Sequence, residues 1–216
     1  MTFLSKKFFF KTKRVFTIKA KFLFLISFCF LIIIFYSLIL NLITSVLVDE
    51  DVPPQKTNIV IENWSGDIEV FEKSKKVAEE INAKEINSII FRSEFTSQRL
   101  RDYYLHSAQL AGLDTTKIGL IPVPVKEPKT FNIAQAVIDT AVQRGWNNIT
   151  IVTFELHTSR SKKTYSRSVK GKNITVYAVG IPSLFVTREN WHKSATGYGL
   201  AGEELVKRIY YELFVF

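Results

Sequence analysis

The sequence predicts a three-layer α/β domain with a mostly parallel sheet, preceded by one transmembrane helix. Five apolar, β-branched runs recur along the chain, and the first four begin about thirty residues apart, the length of a strand–helix–strand unit. Helical patterns fill the intervals, so that helices would cover both faces of a parallel sheet. The 27 residues from 22 to 48 contain no charged side chain, whereas a helix needs roughly 20 apolar residues to cross a bilayer.

The first element is a membrane anchor with a basic flank. Residues 1–21 carry seven cations and no acid, whereas an Asp-Glu-Asp triplet at 49–51 follows the apolar run. By the positive-inside rule, residues 1–21 form a cytoplasmic tail, 22–48 a single-pass anchor, and the remainder is extracytoplasmic. A cleaved signal peptide would have a shorter apolar region, about 7–15 residues, and a small-residue cleavage site. The Ser-Val-Leu sequence at 45–47 does not provide such a site.

Charge and cysteine content exclude several classes of function. The net charge is +9, but the seven cations of the tail leave only +2 for the rest of the chain, so no nucleic-acid partner is predicted. Cys29 is the only cysteine and lies in the apolar run, so the outer domain has no disulfide and no reactive thiol. His106 and His192 have no partners at ligand spacing, and we predict neither a metal site nor a cofactor.

The outer domain follows a short linker. Residues 49–57 form this linker, in which Pro53 and Pro54 oppose continuation of the membrane helix. The domain proper occupies residues 58–216. Its predicted strands are 58–61, 88–91, 118–121, 149–153 and 174–179, and its predicted helices are 71–81, 97–111, 133–142 and about 202–213.

Glycines and hydroxyls mark the ends of these helices. Gly112 ends the second helix, whereas Thr130 is a plausible N-cap and Gly145 a plausible C′ residue for the third. Residues 197–202 fit the pattern G-x-G-x-x-G. A dinucleotide fingerprint should follow the first strand and have an acidic partner about 20 residues later. We therefore interpret this segment as a flexible loop entering the last helix.

Polar side chains gather after the predicted strands, where the carboxyl ends of parallel strands meet. His157 and Arg160 follow the strand at 149–153, and in open α/β sheets ligands lie in the crevice beyond such strand ends. Arg160 offers a charged fork for a phosphate or carboxylate. His157 offers a hydrogen-bond donor or a proton-transfer group near neutral pH. The same edge carries hydroxyls that suit oxyanions: Ser65, Ser93, Thr96, Thr130, Thr158 and Ser159.

Both residues also have an ordinary structural interpretation. His157 would be a hydrogen-bonded histidine near the top of the sheet, and Arg160 a surface arginine at the start of a solvated basic helix. A positive charge in a first turn is mildly unfavourable to the helix dipole, which slightly favours a ligand role for Arg160. The spacing alone does not choose between the two interpretations.

The segment V-T-F-E-L-H-T-S-R at 152–160 resembles the V-T-x-x-x-H-x-x-R segment of the ElyC/SanA/YdcF-like family of bacterial envelope proteins. The resemblance covers approximately residues 58–214 and includes the order of strands and helices, the Thr130 segment and the Asn-Trp pair at 190–191. It implies a Rossmann-like domain that serves cell-envelope biogenesis or integrity. It also implies that the anchor lies in the inner (plasma) membrane of a bacterium.

The sequence departs from the family pattern in three places. Asn63 and Trp64 replace a glycine pair after the first strand, and Ser-Glu-Phe at 93–95 replaces Ser-Gly-Gly after the second. Near Thr130, the family's Thr-x-Glu-Asn-Ala pattern lacks its acidic member. Glycines permit close backbone approach to a ligand, so Trp64 and Glu94 would crowd the pocket. The residues that carry over are Ser93, Thr130, Ala134, His157 and Arg160.

These observations predict a membrane-anchored extracytoplasmic protein that binds an anionic or lipid-linked sugar metabolite at the strand-end cleft. If it is an enzyme, the expected chemistry is transfer or hydrolysis, with His157 as the candidate acid/base. The expected ligand-binding residues are His157, Arg160, Thr130, Ser93 and Ser65. The alternative is a non-catalytic interaction or regulatory domain with a degenerate pocket, tethering envelope-assembly proteins. Methyl-donor binding is a third hypothesis that rests only on analogy with the fold.

Overall fold

The computed structural model describes residues 10–11, 15–92 and 98–216 of the chain. The chain forms two compact units, Met1–Ile43 and Thr44–Phe216. In the first unit, strands β1 (Phe10–Lys11) and β2 (Val15–Phe16) pair in antiparallel fashion and precede helix α1 (Ile18–Leu47), whose last four residues belong to the second unit. The predicted site residue Ser93 lies outside the described residues, as do Glu94 and Thr96.

Helix α1 is long and apolar enough to span a membrane. Its 30 residues extend about 45 Å at 1.5 Å per residue, which exceeds the roughly 30 Å of a hydrocarbon core. None of its most apolar 18-residue window is buried within the described residues. The helix begins four residues before the predicted span of 22–48 and ends one residue before its end.

The second unit contains a five-stranded, all-parallel sheet, and the predicted α/β fold class is confirmed. The strand order is β5-β4-β3-β6-β7, so the chain starts in the middle and builds outward on both sides. Four of the strands are longer than the sequence pattern indicated, because the residues that flank the predicted runs still pair with neighbouring strands. The strands are β3 (Asn58–Ile61), β4 (Glu85–Arg92), β5 (Ile118–Pro124), β6 (Asn148–Phe154) and β7 (Thr175–Ile181).

Helices cover both faces of the sheet and produce two apolar layers. The central strand β3 illustrates this arrangement: Ile59 and Ile61 pack in one layer and Val60 in the other, as the two-residue period of a strand requires. One layer includes residues of α2 and α3, and the other includes residues of α4 and α5. The helices are α2 (Ile68–Glu80), α3 (Gln98–Leu110), α4 (Lys129–Gln143), α5 (Thr158–Ser168) and α6 (Ala195–Tyr210), with a π-turn at Tyr211–Val215.

Two local predictions were wrong. Helix α6 begins at Ala195, seven residues before the expected position, and residues 197–202 are helical rather than a flexible loop. The Ser194 hydroxyl caps this helix by accepting a hydrogen bond from Gly197 N at 3.0 Å. Thr130 is not the N-cap of α4: Pro128 holds that position, and Thr130 is buried inside the first turn. Gly145 has a φ of +65° directly after the cap residue of α4, as predicted for a C′ glycine.

The segment assigned to the linker is held against the α/β domain. Asp51 exchanges two hydrogen bonds with Ala178 of β7: its backbone N donates to Ala178 O at 2.8 Å, and its carboxylate accepts from Ala178 N at 3.0 Å. Lys162 forms ion pairs with Asp49 at 2.6 Å and Asp51 at 2.8 Å. The acidic triplet therefore forms part of the compact unit that begins at Thr44.

Candidate functional site

A cleft of about 640 Å³ lies at the carboxyl edge of the sheet. It is located between the ends of β3 and β6, the neighbouring strands at which the chain order reverses. In open α/β sheets this reversal leaves a crevice, which is the usual ligand site of the fold. The residues lining the cleft include Trp64 after β3, Lys129 and Thr130 at the start of α4, His157 and Arg160 after β6, and Lys207, Tyr210 and Tyr211 near the end of the chain.

His157 and Arg160 lie together in this cleft because of the local structure that follows β6. The strand ends at Phe154, a single 3₁₀ turn runs from Glu155 to His157, and α5 starts at Thr158. Arg160 is therefore one turn beyond His157, and residues three apart share a helix face. Their side chains approach to 3.3 Å between Arg160 Nη2 and His157 Nδ1.

A third charged residue, Glu204 of α6, joins this pair and was not anticipated from the sequence. Its carboxylate is 2.9 Å from both His157 Nδ1 and Arg160 Nε, and the second oxygen is 3.3 Å from Arg160 Nη2. The side chain of Glu204 is only 3 % exposed. Glu204 shares the buried face of α6 with Gly197 and Ala201, and an acidic residue on a buried helix face indicates a charged partner. This pattern was missed because the predicted helix began seven residues too late.

The three side chains form a buried, electrically compensated cluster. Burial by itself raises the pKa of Glu204, but the hydrogen bond and charge of His157 and the charge of Arg160 outweigh it and hold that pKa at about 2. Burial likewise lowers the pKa of the Arg160 guanidinium, and the nearby charge of Glu204 reverses the effect, so the net shift is upward. Both groups are therefore ionised across the physiological range.

This electrostatic arrangement determines the tautomer of His157. An ionised carboxylate oxygen can only accept a hydrogen bond, and at 2.9 Å it lies closer to Nδ1 than Arg160 Nη2 does at 3.3 Å, so we infer that Nδ1 carries the proton. In the neutral imidazole, Nε2 then keeps its lone pair. No hydrogen bond to Nε2 occurs among the described residues, and the side chain remains 26 % exposed in the cleft. His157 can therefore accept a proton or a hydrogen bond from a ligand at Nε2.

The guanidinium of Arg160 is bonded to protein groups at the wall of the cleft. Its guanidinium is 7 % exposed and donates to Glu204 through Nε and Nη2 and to the Thr130 hydroxyl through Nη1. It also lies over the ring of Tyr211, with Cζ 5.6 Å from the ring centroid. These contacts occupy the fork that a phosphate or carboxylate would need. Arg160 therefore holds α4, α5 and α6 together beneath the cleft.

Of the predicted hydroxyl residues that the structure describes, Thr130 lines the cleft, whereas Ser65, Thr158 and Ser159 do not. The hydroxyls of Thr130, Thr158 and Ser159 are buried and bonded to protein groups, respectively Arg160, Glu155 O and Arg208. Ser65 is exposed, bonds to Asp67, and is not among the described residues that line the cleft. These hydroxyls therefore form hydrogen bonds with neighbouring polar groups of the protein, as buried polar groups usually do.

The loop after β3 forms one wall of the cleft. Asn63 is buried and bonds with both oxygen and nitrogen of its amide to the backbone of Asp67, each at 3.0 Å. This turn positions Trp64, whose ring lies 5.7 Å from Phe91. Trp64 lines the cleft, and the described residues still leave about 640 Å³ beside it. Trp64 therefore forms an aromatic wall of the cleft rather than filling it.

The cations that remain available are lysines at the mouth of the cleft. Lys207 pairs with the exposed Glu203 at 2.6 Å and also lies 3.3 Å from Oε1 of the buried Glu204. Lys129 pairs with Glu127 at 3.6 Å, and the side chains of both lysines and of Glu203 and Glu127 are at least 41 % exposed. Exposed ion pairs contribute only about 0–1 kcal/mol, so either lysine can exchange its carboxylate for an anionic ligand. In the described part of the chain, no three His, Cys, Asp or Glu residues are grouped as a metal site requires.

Comparison with known proteins adds little to this geometry. No protein-family model matches the chain, and no curated protein matches it. Among solved structures, the chain is similar to a universal stress protein in complex with cAMP. The similarity covers 59 % of this chain and 98 % of that protein, with 14 % identity and a TM-score of 0.37. A likeness this distant says nothing about the ligand of the cleft described above.

Proposed function

We propose that the chain is a membrane-anchored, extracytoplasmic protein of the bacterial cell envelope whose cleft binds an anionic or lipid-linked sugar metabolite. The observation that carries this proposal is Nε2 of His157, which makes no hydrogen bond to the described residues and is oriented by Glu204 at the strand-order reversal of the sheet. The apolar helix α1 supports anchoring. The basic tail and the acidic residues after the helix support an outward-facing domain.

The composition of the cleft suits a sugar that carries an anionic group. Trp64, Tyr210 and Tyr211 offer flat apolar faces against which a sugar ring can pack. Lys129 and Lys207 supply the exposed positive charges, a role that the sequence had assigned to Arg160. If the protein is an enzyme, His157 is the acid/base, since proton transfer needs a side chain with a free, oriented nitrogen.

The test is ligand binding by the full-length protein in detergent micelles. The probes are a polyprenyl-diphosphate-linked N-acetylhexosamine, the polyprenyl phosphate alone, and free N-acetylhexosamine. A His157→Ala, Lys207→Ala double variant should bind the first probe at least tenfold more weakly, because it removes the acceptor nitrogen and one exposed cation. Lys117→Ala, at the opposite edge of the sheet, is the matched control and should bind normally. Equal affinity of the double variant and the wild type would refute the proposal.

One observation favours a second candidate, a non-catalytic interaction domain. The guanidinium of Arg160 is 7 % exposed and already donates three hydrogen bonds to Glu204 and Thr130, contacts that support a role in maintaining the fold. On this hypothesis the cleft would be a docking surface for envelope-assembly proteins. Full cellular function of the His157→Ala, Lys207→Ala variant, together with a co-purifying partner, would favour it over ligand binding.

A further inference from the structure

The last helix presents an exposed apolar stripe. Five side chains of α6 and the following π-turn are between 47 and 74 % exposed, although all are large and hydrophobic or aromatic. They recur at three- and four-residue intervals and so lie along one face. We call these residues the α6 stripe: Val206, Ile209, Tyr210, Leu213 and Phe214. A contiguous exposed patch of this kind marks an interaction surface in a stable protein.

The stripe lies on the helix that contacts the entry of the chain into the α/β domain. Within the second unit, Arg208 of α6 donates to the backbone oxygen of Val46 at 2.7 Å. Trp191, just before α6, donates through Nε1 to the Thr44 hydroxyl at 3.0 Å. Thr44 and Val46 are among the last residues of the apolar helix α1. The chain therefore leaves the apolar helix beside α6.

The chemistry around the stripe matches a lipid interface. Tyr210 and Phe214 stack with ring centroids 5.4 Å apart, and tyrosine prefers the boundary between hydrocarbon and headgroups. Beside the C-terminal end of the stripe, Lys163, Arg167 and Lys170 line a second depression with Phe216. Such cations, next to an apolar helix face, are typical of helices that lie in the plane of an anionic membrane.

We propose that the α6 stripe lies in the headgroup region of the membrane that holds α1. Tyr210 belongs to both the stripe and the lining of the cleft, so the cleft opens at the bilayer surface. A ligand attached to a lipid would then reach His157 without leaving the membrane, which selects lipid-linked over free sugars. This inference rests on the proposed anchoring by α1, but it does not depend on the identity of the ligand.

Collision accessibility of single nitroxide labels tests the proposal in the full-length protein. Cys29 is the only native cysteine, so Cys29→Ser gives a background in which Ile209→Cys or Leu213→Cys takes one label. The protein is reconstituted into phosphatidylethanolamine–phosphatidylglycerol vesicles, and each label is exposed to oxygen and to a water-soluble nickel chelate. Lys117→Cys is the control, because Lys117 is exposed at the amino edge of the sheet.

Labels at positions 209 and 213 should collide severalfold more often with oxygen than with the nickel chelate, whereas the label at 117 should show the opposite preference. Preferential access of the chelate at 209 and 213 would overturn the proposal, since the stripe would lie in water. Low access to both reagents would also overturn it, since a protein partner or a second copy would then cover the stripe. Binding of the three sugar probes is measured on the same variants, so failure of the membrane contact is distinguishable from failure of the ligand proposal.

Discussion

The carboxylate of Glu204 accepts hydrogen bonds from four nitrogen donors: Nδ1 of His157, Nε and Nη2 of Arg160, and Nζ of Lys207. Removing one partner of a buried ion pair costs about 3–5 kcal/mol, because the remaining charge has no compensation. Glu204→Gln should therefore destabilise the protein by about 3 kcal/mol in denaturant unfolding of the detergent-solubilised full-length chain. Glu203→Gln is a matched control: its side chain is 57 % exposed, and its loss should change stability by less than about 0.5 kcal/mol. Equal losses of stability in the two variants would contradict the conclusion that Glu204 balances the buried charge of Arg160.

The low pKa of Glu204 also predicts how stability depends on pH. Its pKa is about 2 in the folded protein against a usual 4.5, so ionised Glu204 stabilises the native state above pH 4.5. The contribution, about 3 kcal/mol from the linkage relation, disappears as the pH falls from 4.5 through 2. The stability difference between wild type and Glu204→Gln should shrink over this interval. If the stability difference stays constant down to pH 2, the pKa of Glu204 is not lowered in the folded protein.

The orientation of His157 is open to direct measurement. Nitrogen-15 chemical shifts of the imidazole should report protonated Nδ1 and unprotonated Nε2 in the neutral ring, because Nδ1 faces an ionised carboxylate. Glu204→Ala should remove this preference, since it removes the acceptor. His106 and His192 provide reference signals in the same spectra. A neutral His157 with its proton on Nε2 in the wild type would exclude the role proposed for that nitrogen.

Sequence reasoning located the residues of this cluster that follow β6, but not their acidic partner. His157 and Arg160 could be placed because a strand end and the helical period determine where they lie. Glu204 is 44 residues beyond Arg160, and only the packing of α6 against the start of α5 brings them together. The same packing changes Arg160 from an expected ligand contact into a buried tie between helices.

At the level of elements, α6 shows how tertiary contacts override local propensity. Three glycines within residues 197–202 suggested a loop, since each glycine weakens a helix by roughly 0.5–1 kcal/mol relative to alanine. The helix forms nonetheless, because Ser194 caps it and Gly197 allows close approach to the backbone of Trp191. A Cβ on Gly197 would lie 2.0 Å from Trp191 O, a contact that alternation patterns in a sequence do not reveal.

Substitution by alanine should therefore change the stability of the protein in opposite directions at Gly197 and at the other two glycines. Gly197→Ala should destabilise the protein by about 1–3 kcal/mol, because its methyl group must displace backbone. Gly199→Ala and Gly202→Ala meet no atom within 4 Å and should stabilise it by about 0.5–1 kcal/mol each through higher helix propensity. Thermal unfolding of the three variants provides the comparison. Destabilisation by all three would indicate that the segment is a loop after all.

For the whole molecule, the folded unit begins earlier than the composition of the chain indicates. Two prolines and an acidic triplet predicted a linker over 49–57, and the spacing of the apolar runs predicted alternating strands and helices in a parallel sheet. The contacts of the acidic triplet were not predictable, because their partners are distant in the sequence. Asp51 bonds to Ala178 of β7, and Glu50 pairs with Arg188. The end of α1 contributes as well, since Trp191 bonds to Thr44.

The expected consequence concerns two soluble fragments, residues 44–216 and 52–216. The shorter one lacks every contact made by 44–51 and leaves Lys162 without either carboxylate. Partly buried hydrogen bonds contribute about 1 kcal/mol each, so the loss should total about 2 kcal/mol or more. For a domain of this size, that corresponds to a melting temperature lower by about 4–8 °C. Calorimetry of the two fragments measures this difference in melting temperature. Equal melting temperatures would mean that the acidic triplet is a true linker, whereas the predicted difference would mean that the α/β domain includes the residues that follow helix α1 and the last turn of that helix.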